Sequence, residues 1–156
     1  MVGPRRRARE VALQILIQMD VNPELGVERA MHLYFEHLAA DAGDDDTSGV
    51  GDHPRPSAPF DRAMAESLVA GVAARRAELD QVVQDLSRNW RLERMALVER
   101  NVIRLALHEL RHAKDVPTNV VLDEAIELTK KYGTAEGAAF VNGLLDRAAS
   151  ELNLRR

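Results

Sequence analysis

At 156 residues the chain has the size of one domain with a substantial core, and 25 acidic against 21 basic side chains give it a formal charge of −4. The absence of cysteine excludes disulfides, thiolate metal sites and cysteine nucleophiles, and suits a reducing cytoplasm. An acidic whole-molecule field excludes a protein that coats nucleic acid with its entire surface, and 4% aromatic residues exclude a stacking platform of Phe and Tyr rows, so any RNA site must be local.

Charge begins at Arg5, without the apolar run of a signal peptide, and no apolar stretch has the length of a membrane span, so a soluble cytoplasmic protein is expected. The first helix follows Pro4, which suits a first helical turn. Ala8, Val11, Ala12, Ile15, Leu16 and Met19 trace its apolar stripe, which ends near Asp20. Asn22 and Pro23 read as the cap and first turn of a second helix carrying Val27, Met31, Tyr34, Phe35 and Leu38. From Asp41 to Pro59 the composition turns to Asp, Gly, Ser and Pro, which predicts a mobile acidic loop.

Phe60, Met64, Leu68, Val69 and Val72, then Leu79, Val82, Val83 and Leu86, predict two helices with a bend between them. Met95, Val98, Val102, Leu105, Ala106 and Leu110 share one face of a longer fifth helix. Its charged residues Glu93, Arg94, Glu99, Arg100 and Arg104 are expected on a solvated outer face. Asp115-Val116-Pro117 marks a stop and a restart, and Gly133 is expected as a left-handed C-cap of the sixth helix. Thr134 can cap a last helix with the stripe Phe140, Val141, Leu144, Leu145, Ala148 and Leu152. The fold class is all-α, with about seven helices in one domain over residues 1–156 and no internal repeat.

Arg5, Arg6, Arg7 and Arg9 place four cations at a helix N-terminus, where the dipole favours anions. A phosphate backbone bound by arginine forks would relieve that local cost; a solvated, frayed terminus reads the cluster alone equally well. His108-Glu109-Leu110-Arg111-His112 matches the HExxH pattern of zinc hydrolases, with Glu124 or Glu127 conceivable as a third ligand, but a pattern with three fixed positions also arises by chance. Trp90 and Leu92, beside the charges that precede the fifth helix, read as a docking edge or, for Trp90, a core plug. Asn142 and Gly143 are poor mid-helix residues, which points to a close backbone approach or a buried hydrogen bond.

Together these segments resemble the NusB family of bacterial transcription antitermination factors. The resemblance rests on Arg-Arg-Arg-Ala-Arg-Glu at 5–10, Val98-Glu99-Arg100-Asn101-Val102-Ile103-Arg104-Leu105-Ala106-Leu107 with Glu109-Leu110, Asp115-Val116-Pro117, Asp123-Glu124-Ala125-Ile126-Glu127-Leu128, and Phe140-Val141-Asn142-Gly143-Leu144-Leu145-Asp146, in the family's order and spacing. It implies seven helices in two sub-bundles, and a role in an RNA–protein complex that makes the transcription elongation complex resistant to termination, notably on ribosomal RNA operons. It implies binding to boxA RNA, tighter with NusE, a ribosomal protein of the small subunit. The RNA contact carries over to Arg5, Arg6, Arg7 and Arg9, the neighbouring stretch to Thr134, Glu136 and Ala139, and the NusE-facing edge to Glu93, Met95 and Glu99. No cofactor and no catalysis are expected.

Two features depart from the family pattern. The 41–59 segment is longer and more acidic, raising the idea that Asp41 to Asp52 competes with phosphate for the arginines. Position 108 holds His where relatives often carry an aromatic residue. The rival readings are a zinc hydrolase and a structural homodimer without an RNA role. NusB-like domains also precede ribosomal RNA cytosine methyltransferases, a reading that the missing cysteine nucleophile disfavours.

Overall fold

The computed structural model describes residues 3–41 and 59–156. The stretch between, with the expected acidic loop and its competition for the arginines, lies outside the described residues. Seven α-helices and one 3₁₀ turn, with no strand, make up the described chain: α1 (Pro4–Val21), α2 (Val27–Asp41), α3 (Arg62–Ala74), α4 (Arg76–Leu86), the turn Leu92–Arg94, α5 (Leu97–His112), α6 (Thr118–Tyr132) and α7 (Ala135–Glu151). No described helix is long and apolar enough to cross a membrane.

Local chemistry sets most of these boundaries. Pro4 opens α1, where its missing N–H costs nothing. Asp61 accepts a hydrogen bond from the Met64 N–H at 3.0 Å and caps α3, and Thr134 accepts from the Gly137 N–H at 2.9 Å and caps α7. The expected bend is the single residue Arg75, at φ −115 and ψ 17, which closes α3 and opens α4.

α1, α2 and α3 pack on one another, while α4, α6 and α7 gather around α5. α5 also touches α1 and α3, and so joins the two groups of helices. Every residue from Asn101 to Leu110 is consequently buried, including Asn101, Arg104, His108 and Glu109. An unpaired buried donor or acceptor costs about 1–3 kcal/mol, and Asn101, Arg104 and Glu109 are accordingly hydrogen-bonded.

The structure corrects several readings of the sequence. Asn22 is not the cap of α2 but the C-cap of α1, its N–H donating to the Gln18 carbonyl; a turn through Leu25 delays α2 to Val27. Gly133 is not left-handed: its φ is −124 and ψ −131, and glycine is required because a Cβ would stand 2.9 Å from the Thr129 carbonyl oxygen. Trp90 is not a core plug, being 50% exposed, whereas Leu92 is buried. Asn142 and Gly143 lie on the exposed face of α7, with nothing within 4 Å of a Cβ at 143, so neither a close approach nor a buried hydrogen bond explains them.

Candidate nucleic-acid interface

The arginines at the start of α1 do not act as one set. Arg5 is exposed, and Arg7 is partly exposed, its side chain reaching among the described residues only the Pro59 carbonyl at 3.5 Å. Arg6 forks onto Glu124 of α6, with Nε to Oε2 at 2.9 Å and Nη2 to Oε1 at 2.9 Å. That hydrogen bond raises its pKa against the opposing effect of burial. Arg9, expected beside them at the RNA, is instead 4% exposed, and its Nε and Nη2 donate to both oxygens of Glu109 at 2.9 and 2.8 Å. The reason is helical phase: position 9 lies among Ala8, Ala12 and Leu13, on the face of α1 turned to α5.

From Arg6 onward α1 runs beside α6 in the same direction. Glu10 accepts from Lys131 at 2.8 Å, and one turn later Gln14 donates to the Tyr132 hydroxyl at 3.2 Å and accepts from the Tyr34 hydroxyl at 2.6 Å. Sequence reasoning missed Lys130 and Lys131, exposed in the last turn of α6 between the arginine end and the start of α7. Their signal was an adjacent lysine pair just before the Gly133 stop. Gln14 is eight residues from Arg6, so the arginine end and the α6–α7 junction are about 12 Å apart along α1.

At that junction the remaining expected residues meet unevenly. Thr134, Glu136 and Ala139 are exposed on the first two turns of α7. Glu99 of α5 lies against the same turn: a Cβ on Gly137 would stand 2.3 Å from its Oε1. A carboxylate there complements the positive end of α7 and brings the expected partner edge to the expected RNA edge. Glu93 is exposed in the 3₁₀ turn, but Met95 is 4% exposed and belongs to the core, which removes it from any partner-facing surface.

The outer charged face expected for α5 is also corrected. Arg104 is 3% exposed; it donates to Asp20 at 3.0 Å and to Asp80 at 2.6 Å, while Arg100 and Arg76 also bind Asp20, at 2.7 and 3.1 Å. Burial alone would push the Asp20 carboxyl up, but the hydrogen bonds from Arg100 and Asn101 and the charges of Arg104 and Arg100 outweigh it and hold it down at about 2.

The HExxH residues diverge. The Glu109 carboxylate is turned to Arg9, Glu124 is held by Arg6, and Glu127 lies 3.9 Å from Lys130. The general base and third ligand of a zinc hydrolase are therefore committed elsewhere, and among the described residues no three His, Asp or Glu side chains meet as a metal site. His108 is 7% exposed and packs over Gly71, where a Cβ would stand 2.3 Å from its Cε1. Burial, with the neighbouring His112 and Arg75, pushes it down to about 4. His108, His112, Arg5 and Arg75 line a cleft of about 530 Å³ between α1, α3 and the end of α5.

Fold and site define an all-α protein that presents a basic helix terminus, joined by an acid-paired face to the start of its last helix. The family model described as NusB family matches residues 6–150. Transcription antitermination protein NusB of Anaeromyxobacter dehalogenans is 44% identical over 155 residues, covering 97% of this chain and 94% of the relative, and that of Myxococcus xanthus is 39% identical over 152 residues, covering 97% and 99%. Among solved structures, T. maritima NusB superposes with a TM-score of 0.76 at 30% identity, over 97% of this chain and 94% of that one. A chain of a crystal structure of antitermination factors NusB and NusE in complex with dsRNA superposes with a TM-score of 0.71 at 23% identity, over 97% and 99%. The chain belongs to the NusB family.

Proposed function

We propose that this protein is a non-catalytic, cytoplasmic RNA-binding factor that holds boxA RNA together with NusE and supports antitermination on ribosomal RNA operons within the transcription elongation complex. The observation that carries the reading is the start of α1. Among the described residues Arg5 and Arg7 have no acidic partner, Arg6 has a single exchangeable one, and no acidic residue occupies the first turn of α1. Helix N–H groups and guanidinium forks there converge on the same anion chemistry, that of a phosphate backbone. Arg9 acts from behind, fixing α1 on α5 so that the exposed arginines are presented at a constant angle. Thr134, Glu136 and Ala139 extend the footprint at the α6–α7 junction, and Glu93 and Glu99 mark the NusE-facing edge beside it. The description of a structural neighbour as NusB and NusE in complex with dsRNA supports both partners.

Titration of labelled boxA RNA with and without NusE tests the reading. NusE should tighten binding, and Arg7→Ala should weaken it for every RNA sequence, lowering the salt slope by about 0.7 for a lost single-strand phosphate contact. An unaltered slope removes Arg7 from the interface; no binding at low salt, with or without NusE, refutes the reading.

A further inference from the structure

The cleft beside the arginine end is left unused by a purely phosphate-based contact. It is about 530 Å³, within the range of small-molecule sites, and it shares Arg5 with the cluster expected to hold the RNA backbone. His108 lies deep in it, with no hydrogen-bond partner among the described residues for its buried Nδ1. His112 stands one turn further along, its ring centroid 5.2 Å from that of His108, and is exposed at the mouth. Arg75 closes another side, from the bend between α3 and α4. Two acids line the cleft: the Glu109 carboxylate is taken by Arg9, and Asp115 stands at the rim.

Imidazole rings and guanidinium planes are surfaces on which unstacked RNA bases lie, and a neutral imidazole offers one donor and one acceptor to a base edge. Gly71 gives the His108 ring its place, since any side chain there would occupy it. We infer that this cleft is a nucleotide pocket: one base of the bound RNA leaves the stack and enters against His112 and Arg75, with its edge toward His108 and its phosphate on Arg5. The inference rests on the RNA-binding reading above and adds the place where a base, rather than the backbone, is read.

The test uses boxA RNA in complex with the full chain and NusE, carrying 2-aminopurine at each position in turn. One position should change fluorescence on binding, and an abasic nucleotide at that position should weaken binding by about 5- to 100-fold, the range for one lost base stack. Two variants act at the mouth without touching the core: His112→Ala removes the ring, and Ser67→Trp, from an exposed position on the cleft wall, fills the space. Both should cost a similar factor while leaving the salt slope unchanged, and both should abolish the 2-aminopurine signal. If Arg7→Ala weakens binding and flattens the slope while the two cleft variants bind like the parent, the pocket is refuted and the RNA reading stands. If a free nucleoside monophosphate occupies the cleft and the variants leave RNA binding intact, the site serves a free nucleotide and the inference is equally overturned. If RNA does not bind at all, both fall together.

Discussion

Arg9 and Glu109 are 5% and 3% exposed in their side chains and joined by three hydrogen bonds, so neither can lose its partner without leaving a buried charge. Breaking such a pair costs about 3–5 kcal/mol, and Arg9→Ala is therefore expected to lower the denaturant midpoint by that equivalent while the exposed arginines are untouched. A loss below about 1 kcal/mol in chemical denaturation would mean that the pair does not hold α1 on α5. Arg6 and Glu124 present the opposite case, 38% and 14% exposed, where an ion pair is worth about 0–1 kcal/mol. Glu124→Gln keeps the shape and removes the competing charge, and should tighten RNA binding at low salt by up to about fivefold with little change in stability; weaker binding would show that Glu124 orients Arg6 rather than occupying it. Burial, rather than residue type, separates the two arginines: three positions apart on α1 they sit about 60° from one another around the helix, Arg9 turned inward to α5 and Arg6 further out toward α6.

At the scale of the element, α5 decides most. Its end is closed by a residue from the far end of the chain: the Arg156 guanidinium donates to the carbonyls of Leu110 and Ala113 at 2.7 Å each, of Val116 at 2.9 Å and of Glu109 at 3.2 Å. The Leu110 carbonyl is one that the end of α5 leaves without a backbone partner, while those of Glu109 and Ala113 already accept the N–H groups of Ala113 and Val116, and a cation there also meets the negative end of the dipole. Arg156→Ala should cost about 1–2 kcal/mol, seen as a lower thermal midpoint and faster amide exchange in the last turn of α5; protection unchanged there would show that water replaces the guanidinium without loss. Further back on the same helix, His108 and the Asp20 contacts set the acid response. His108 is held near 4 against an ordinary 6.5, so its contribution is complete above 6.5 and about 3 kcal/mol is lost as the pH falls to 4. Asp20, near 2 against 3.8, contributes fully above 3.8 and loses about 2 kcal/mol as the pH falls toward 2. Stability followed from pH 7 to 2 should thus decline in two windows, and His108→Phe should flatten only the first. A single decline confined below pH 4 in the parent protein would contradict the burial of His108.

Across the whole molecule, the two groups of helices meet mainly through α5 and its contacts with α1 and α3, with side-chain contacts between α1 and α6 beside them, so the charges buried along α5 join α1 to the rest. The number of helices, their order, the Pro4 start, the Thr134 cap and the bend at Arg75 were legible in the sequence, because 3.6-residue periodicity and capping chemistry are local and act before any packing. The motif blocks made the family legible as well, and with it the arginine end of α1. What the pattern could not separate was a charged residue on a solvated face from one on a buried face: Arg9 and Arg104 look like surface residues until Glu109, Asp20 and Asp80 arrive from distant elements. A partial signal existed, since α5 carries apolar residues on every side, which leaves its polar residues no outward face. Met95 read as an edge, and Asn142 with Gly143 as a buried device, for the same reason: exposure depends on what packs alongside. The cleft of Arg5, Arg75, His108 and His112 was legible in no single segment, because it exists only where three helices diverge. The sequence by itself determined which segments form helices and which family they build, through forces that reach a few residues along the chain. Tertiary structure alone decided which charges stay exposed and which hold the helices together, because desolvation and ion pairing depend on neighbours that can lie about a hundred residues away in sequence, as in the Arg9–Glu109 pair.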